Sequence, residues 1–138
     1  MLCTCAMAVL AVLTPVKTPE SQAGAPACPD GMERVAEYRL FFGRSKQGVE
    51  VVDDAAWRAF LEKEVTPRFP GGLTVLDASG QWRDAARTPV RERTKLVLIL
   101  VEPGPGGMRR TKEIAEAYKR AFGQESVLRV IGTACASF

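Results

Sequence analysis

In "EYRLFFG", Tyr38, Leu40 and Phe42 alternate with Arg39 and Phe41, and Gly43 ends the run. That two-residue period predicts a strand. "DDAAWRAFLEKEVTP" changes period: Trp57, Phe60, Leu61 and Val65 fall on one helical stripe. Asp53 or Asp54 is placed to cap it, Pro67 to stop it, and Thr66 to be pushed extended by the proline that follows. Between them, "KQGVEVV" reads as a turn and connection with a short strand.

"RFPGGLTVLDASGQWRD" is the most unusual stretch. Phe69-Pro70-Gly71-Gly72 predicts a tight turn and Leu73 to Asp77 a strand. Ala78-Ser79-Gly80 reads as a kink or bulge, and Gln81-Trp82-Arg83 as the strand resumed. "DAARTPVRE" follows as a loop. The unbroken apolar run Leu96 to Val101 predicts a central strand buried on both faces. "PGPGG" reads as a loop. "MRRTKEIAEAYKRAFG" reads as a second helix, with Ile114, Tyr118, Ala121 and Phe122 buried and Gly123 as its C-terminal cap. "ESVLRVIGTACASF" supplies the last strand.

The order β-α-β-β-α-β predicts an α+β, ferredoxin-like fold. Right-handed crossovers put both helices on one face of an antiparallel sheet, with the first and third strands central. No helix is left for the other face, which carries Phe41. A homodimer paired sheet to sheet is one way to cover it.

Composition narrows the chemistry. The 138 residues suit one domain, with 46% hydrophobic and 25% charged residues. A net charge of +3 is too small to argue for nucleic acid. An RNA-recognition module would also need aromatics on the third strand, where "KLVLILV" has none. Histidine is absent, so Ser-His and Cys-His nucleophile pairs are excluded and the commonest metal ligand is missing. We expect no metal and no cofactor.

The start of the chain differs from the rest. "MLCTCAMAVLAVLTP" is apolar and small, and the first charge is Lys17. The run is too short for a membrane span, which takes about 20 residues. Residues 1–27 read as a secretory signal or, failing that, a disordered tail, with residues 28–138 as the single domain. The missing basic residue ahead of the apolar run counts against the signal. Ala25-Pro26-Ala27 fits cleavage before Cys28. A tautomerase-like proline base at Pro26 would sit too far ahead of the first strand. The expected location is exported, periplasmic or extracellular.

Loss of the signal removes Cys3 and Cys5. Cys28 and Cys135 then read as a disulfide pinning the two chain ends, with lipidation of Cys28 as the alternative.

The segments "EYRLFFG", "WRAFLEKEVTPRFPGGLTVLDASGQWR", Arg91-Glu92, "YKRAFGQESVLRV" and the terminal "CASF" resemble the bacterial family catalogued as domain of unknown function 3574, over residues 28–138. The resemblance implies a small, often exported bacterial domain and supplies no activity.

Candidate site residues therefore rest on their chemistry. Arg68, Gln81, Trp82, Arg83 and Glu92 come from the first helix's end and the edges of the second and third strands. Converged at one end of the sheet, they would bind a carboxylate or a planar ligand through the Arg fork and the Trp face. Glu92 is the candidate acid/base. The simpler reading pairs Glu92 with Arg68 or Arg83 and packs Trp82 as core. Ser126 has no histidine base, so Gln124 and Glu125 in "GQES" read as backbone-satisfying groups. "EPGPGG" lacks the Gly-Lys-Ser/Thr ending of a phosphate loop. The leading expectation is an exported domain binding a small ligand or a protein partner. The alternative is a small enzyme of the dimeric α/β-barrel type, with Glu92 as acid/base and Arg68 as anion anchor.

Overall fold

Residues 27–83 and 86–137 are described in the computed structural model of the chain. Strand β1 (Glu33–Gly43) turns Ala36, Tyr38, Leu40 and Phe42 into the core and leaves Glu37, Arg39 and Phe41 on the opposite face. A two-rung hairpin follows, β2 (Ser45–Lys46) with β3 (Val49–Glu50). Its turn residues Gln47 and Gly48 both have positive φ, as a tight hairpin turn requires.

Helix α1 (Asp54–Phe60) is capped by Asp53, whose carboxylate accepts from Ala56 N at 2.7 Å. It buries Trp57 and Phe60, then widens into a π turn over Leu61–Val65 and tightens into a 3-10 turn over Thr66–Arg68. The expectation that Thr66 is extended is corrected: its φ of -55° and ψ of -44° are helical. The π turn loosens the backbone ahead of Pro67, where a regular α turn would drive the ring into a carbonyl.

Strands β4 (Thr74–Arg83) and β5 (Pro89–Val101), helix α2 (Pro105–Phe122) and strand β6 (Leu128–Ala136) complete the order. The four long strands form one antiparallel sheet, β4-β5-β1-β6. This is the ferredoxin-like arrangement, with the first and third long strands central and both helices packed on one face.

The core under the helices is aromatic. Phe42 is fully buried, with its ring centroid 5.2 Å from Trp57, 6.0 Å from Phe60 and 4.8 Å from Tyr118. These are tilted or edge-on contacts, the favourable geometries for aromatic pairs. Cys28 and Cys135 form a disulfide across 107 residues, tying the segment ahead of β1 to edge strand β6. A lipid thioether on Cys28 would need that same sulfur. Among the described residues no helix is long and apolar enough to cross a membrane.

Several boundaries differ from the sequence reading. β4 runs without a bulge, each residue pairing singly with β5 from Thr74↔Leu98 to Arg83↔Pro89. β5 begins at Pro89, so Arg91 and Glu92 lie in a strand rather than a loop. α2 begins at Pro105, because proline needs no N–H partner in a first turn, and Gly107 lets that turn press on the Tyr38 ring. Ala121 is exposed, while Thr111, Ala115 and Ala117 join Ile114 and Tyr118 inside. Most consequentially, β5 is not buried on both faces. Val97 and Ile99 are fully buried, but Leu96 and Leu98 are half-buried and Leu100 is exposed.

The expected signal, residues 1–27, lies outside the described residues except for Ala27.

Candidate functional site

Strand alternation decides what surrounds Glu92. Lys95, Arg93 and Arg91 point to the side on which the helices lie, while Thr94 and Glu92 share the open face with Leu96. The three cations are engaged on their own side. Lys95 pairs with Asp77 at 2.5 Å and with Asp54 at 3.6 Å. Arg93 reaches Glu50 at 3.3 Å and Asp54 at 3.7 Å. Arg91 Nε donates to Gln81 Oε1 at 3.1 Å.

Arg44 organises this cluster. Its guanidinium is almost wholly buried, and it donates from Nε to the Val52 carbonyl at 2.6 Å. Nη1 donates to Asp54 at 2.8 Å and Nη2 to Glu50 at 2.8 Å. A buried guanidinium is tolerated because every edge of its fork has an acceptor. The hydrogen bond from Arg44, and then the charges of Arg44, Lys95 and Arg93, hold the Asp54 carboxyl below the usual carboxylate range despite partial desolvation.

Glu92 is left without a cation. Among the described residues no hydrogen bond or ion pair engages its half-buried carboxylate. The carboxylate leans over Gly43, where a Cβ would come within 2.6 Å of Oε2. Across the strand pair its partner is Gly80, where a Cβ would meet Thr94 Oγ1 at 3.1 Å. Two glycines thus make the room that this carboxylate occupies. On the other side of Gly43, Tyr118 donates its hydroxyl to the Gly43 carbonyl at 2.9 Å. Burial pushes that hydroxyl's titration up, the Arg44 charge opposes the rise, and the Glu92 carboxylate adds to it, so it stays a donor.

A cavity of about 440 Å³ opens beside Glu92, lined by Ser79, Gly80, Gln81, Arg91, Glu92 and Arg93. Trp82 lies one step along β4 on the same face as Glu92 and is 52% exposed, so it is not a core residue. Arg83 is exposed at the strand's end.

The structure brings Gln81, Trp82, Arg83 and Glu92 to one end of the β4–β5 hairpin. It does not bring Arg68 there. Arg68 donates to the Glu64 carbonyl at 2.6 Å and to its carboxylate at 3.0 Å, and lies 3.6 Å from Glu113 of α2. It fastens the two helices together. Gln124 donates to the Ser45 carbonyl, the backbone-satisfying role expected of that cluster. Arg91, Arg93 and Gly43 enter the site although sequence reasoning passed over them. The signal available for Arg93 was its alternation with Lys95 along a strand. Among the described residues no group of three or more metal-ligating side chains occurs.

A family model described as "Protein of unknown function (DUF3574)" matches residues 37–138, and the chain belongs to that family. Comparison with curated proteins found no match. Two solved structures share the fold. One is a phage SAM lyase in complex with S-methyl-5'-thioadenosine, 11% identical, with a TM-score of 0.59 over 75% of this chain and 90% of that one. The other is a phage SAM lyase in its apo state, 12% identical, with a TM-score of 0.58 over 83% of this chain and 96% of that one.

Proposed function

We propose that this member of the DUF3574 family is an exported domain, residues 28–138, that binds a small planar ligand carrying hydrogen-bond donors at the Glu92 end of its sheet. The observation that carries the reading is the half-buried Glu92 carboxylate, unpaired beside a cavity of about 440 Å³. Withdrawing a carboxylate from water without a partner costs free energy, which a donor-bearing ligand recovers. A ribose diol or an exocyclic amine suits it, since either presents donors to a carboxylate. Trp82 supplies an exposed aromatic face for a flat ring, and base–aromatic stacking contributes about 1 to 3 kcal/mol. Gln81, Arg83, Arg91 and Arg93 supply polar groups around the rim. A purine nucleoside meets these requirements, and the fold's likeness to a protein solved with S-methyl-5'-thioadenosine makes that compound the natural first probe.

Calorimetric titration with S-methyl-5'-thioadenosine tests this. Saturable binding, weakened about tenfold or more in both Glu92→Gln and Trp82→Ala, is the expected result, corresponding to roughly 1.4 kcal/mol or more for each group. No heat at millimolar ligand, or binding indifferent to both substitutions, refutes it.

The enzymatic reading is favoured by one observation, the absence of any cation to hold Glu92 ionised in an ion pair, which leaves it free to exchange a proton. In that reading Glu92 is the acid/base, and Arg68, committed to Glu64 and Glu113, is not the anion anchor. Chromatographic detection of product from SAM, abolished in Glu92→Gln, distinguishes an enzyme from a binding module.

A further inference from the structure

The sheet face opposite the helices carries an apolar surface without a cover. Phe41, Leu96, Leu98 and Val130 are half-buried there, while Leu76, Leu100 and Leu128 are 45%, 38% and 59% exposed. Contiguous apolar surface of this kind marks an interaction site. Its middle holds one charged pair, Arg39 Nε to Glu37 Oε1 at 3.0 Å, on central strand β1.

We propose that a second copy of this chain covers this face, related by a two-fold axis that crosses the strands between Glu37 and Arg39. An isologous interface has to be complementary to itself. A two-fold running along the strands would set Arg39 against Arg39. One running across them sets Arg39 of one protomer against Glu37 of its partner, twice. The ladder register then fixes the neighbours. Arg39 pairs laterally with Leu98 and Val130, and Glu37 with Leu100 and Gly132. The same rotation therefore lays Leu98 on the partner's Leu100 and Val130 on the partner's Gly132. Leucine meets leucine, and a branched side chain meets a position with none.

The extent is adequate. Four strands about 4.8 Å apart and about nine residues long, at roughly 3.3 Å each, give a footprint of about 600 Å² before side-chain relief is counted. A standard stable interface takes roughly 800 Å² from each partner. Strong like charge is absent from the patch, so no long-range repulsion opposes the pairing. Glu92 lies beyond Phe41 along the sheet, at the rim of this interface, so the inference does not depend on any ligand there.

Sedimentation of the full oxidised chain, from micromolar to sub-millimolar concentration, tests it. A dimer is expected. Arg39→Glu makes the pair all-acidic and Glu37→Arg makes it all-basic. Both positions are solvent-accessible, so each variant should melt like the wild type yet sediment as a monomer. Mixing the two variants should restore a dimer, because each then offers the charge the other lacks. Leu128→Lys should weaken the dimer without changing the charged pair. A wild-type monomer throughout overturns the proposal and assigns the face to another occupant. So does a dimer that survives both charge variants, or two monomeric variants that do not associate when mixed.

Discussion

Removing the Cys28–Cys135 bridge should destabilise the domain more than any surface change. The bridge closes 107 residues, nearly the whole described chain. In the chain-entropy account a loop of that length costs the cross-linked unfolded chain about 5 kcal/mol of conformational freedom at 25 °C. Few structural features at the native ends oppose this, since Cys28 precedes β1 and Cys135 sits on an edge strand. The variant Cys28→Ser/Cys135→Ser should therefore lose roughly 4 to 5 kcal/mol, or on the order of 15 °C in Tm for a domain of this size. Urea unfolding followed by tryptophan fluorescence is the assay, because Trp57 is buried and reports on the core. The slope of free energy against urea should rise in the variant, since its unfolded chain expands further. Reduced wild type should match the variant, and reductant should not affect the variant. A loss below about 1 kcal/mol, with unchanged slope, would refute the view that the bridge acts on the unfolded chain.

Other perturbations separate site from scaffold. Phe42→Ala empties the centre of the aromatic cluster and should cost about 3 to 5 kcal/mol by chemical denaturation. Two glycine substitutions should behave oppositely. In Gly43→Ala the new methyl meets only the flexible end of Glu92, so stability should hold while binding of S-methyl-5'-thioadenosine falls. In Gly107→Ala it meets the Tyr38 ring at 2.7 Å, a rigid neighbour, and about 1 to 3 kcal/mol should be lost in the melt. Asp54 predicts an acid limb. Its folded pKa lies below the ordinary 3.8, so the unfolded chain binds the proton first. The stability it contributes is present above that value and lost as pH falls through the lower folded value. Urea midpoints measured on descending from pH 6 should drop less steeply in Asp54→Asn.

What could be read from residues alone was set by local physics. The α1 stripe and its Asp53 cap follow from helical spacing and one side-chain oxygen, and both stand. The sheet order follows from the element order and crossover handedness, and it stands too. Misreadings arose where tertiary context outweighed local signals. Pro89, Arg91, Glu92 and Arg93 look like loop residues, yet pairing with β4 makes them a strand. Leu96 to Val101 looks buried on both faces because an apolar run does not say which layers exist. Arg44 looks like a turn residue. Its burial depends on Glu50 and Asp54, six and ten residues on, which fold back over it. Arg68 and Glu92 were grouped by charge, and the helix carboxylates Glu64 and Glu113 engage Arg68 instead.

The most direct test of the central claim is an amide and indole chemical-shift map of the oxidised domain titrated with S-methyl-5'-thioadenosine. The account predicts saturable shifts at Gly43, Gly80, Gln81, Glu92 and the Trp82 indole, with the amides of α1 and α2 unmoved. Shifts confined to the helix layer, or none at saturating ligand, would contradict it.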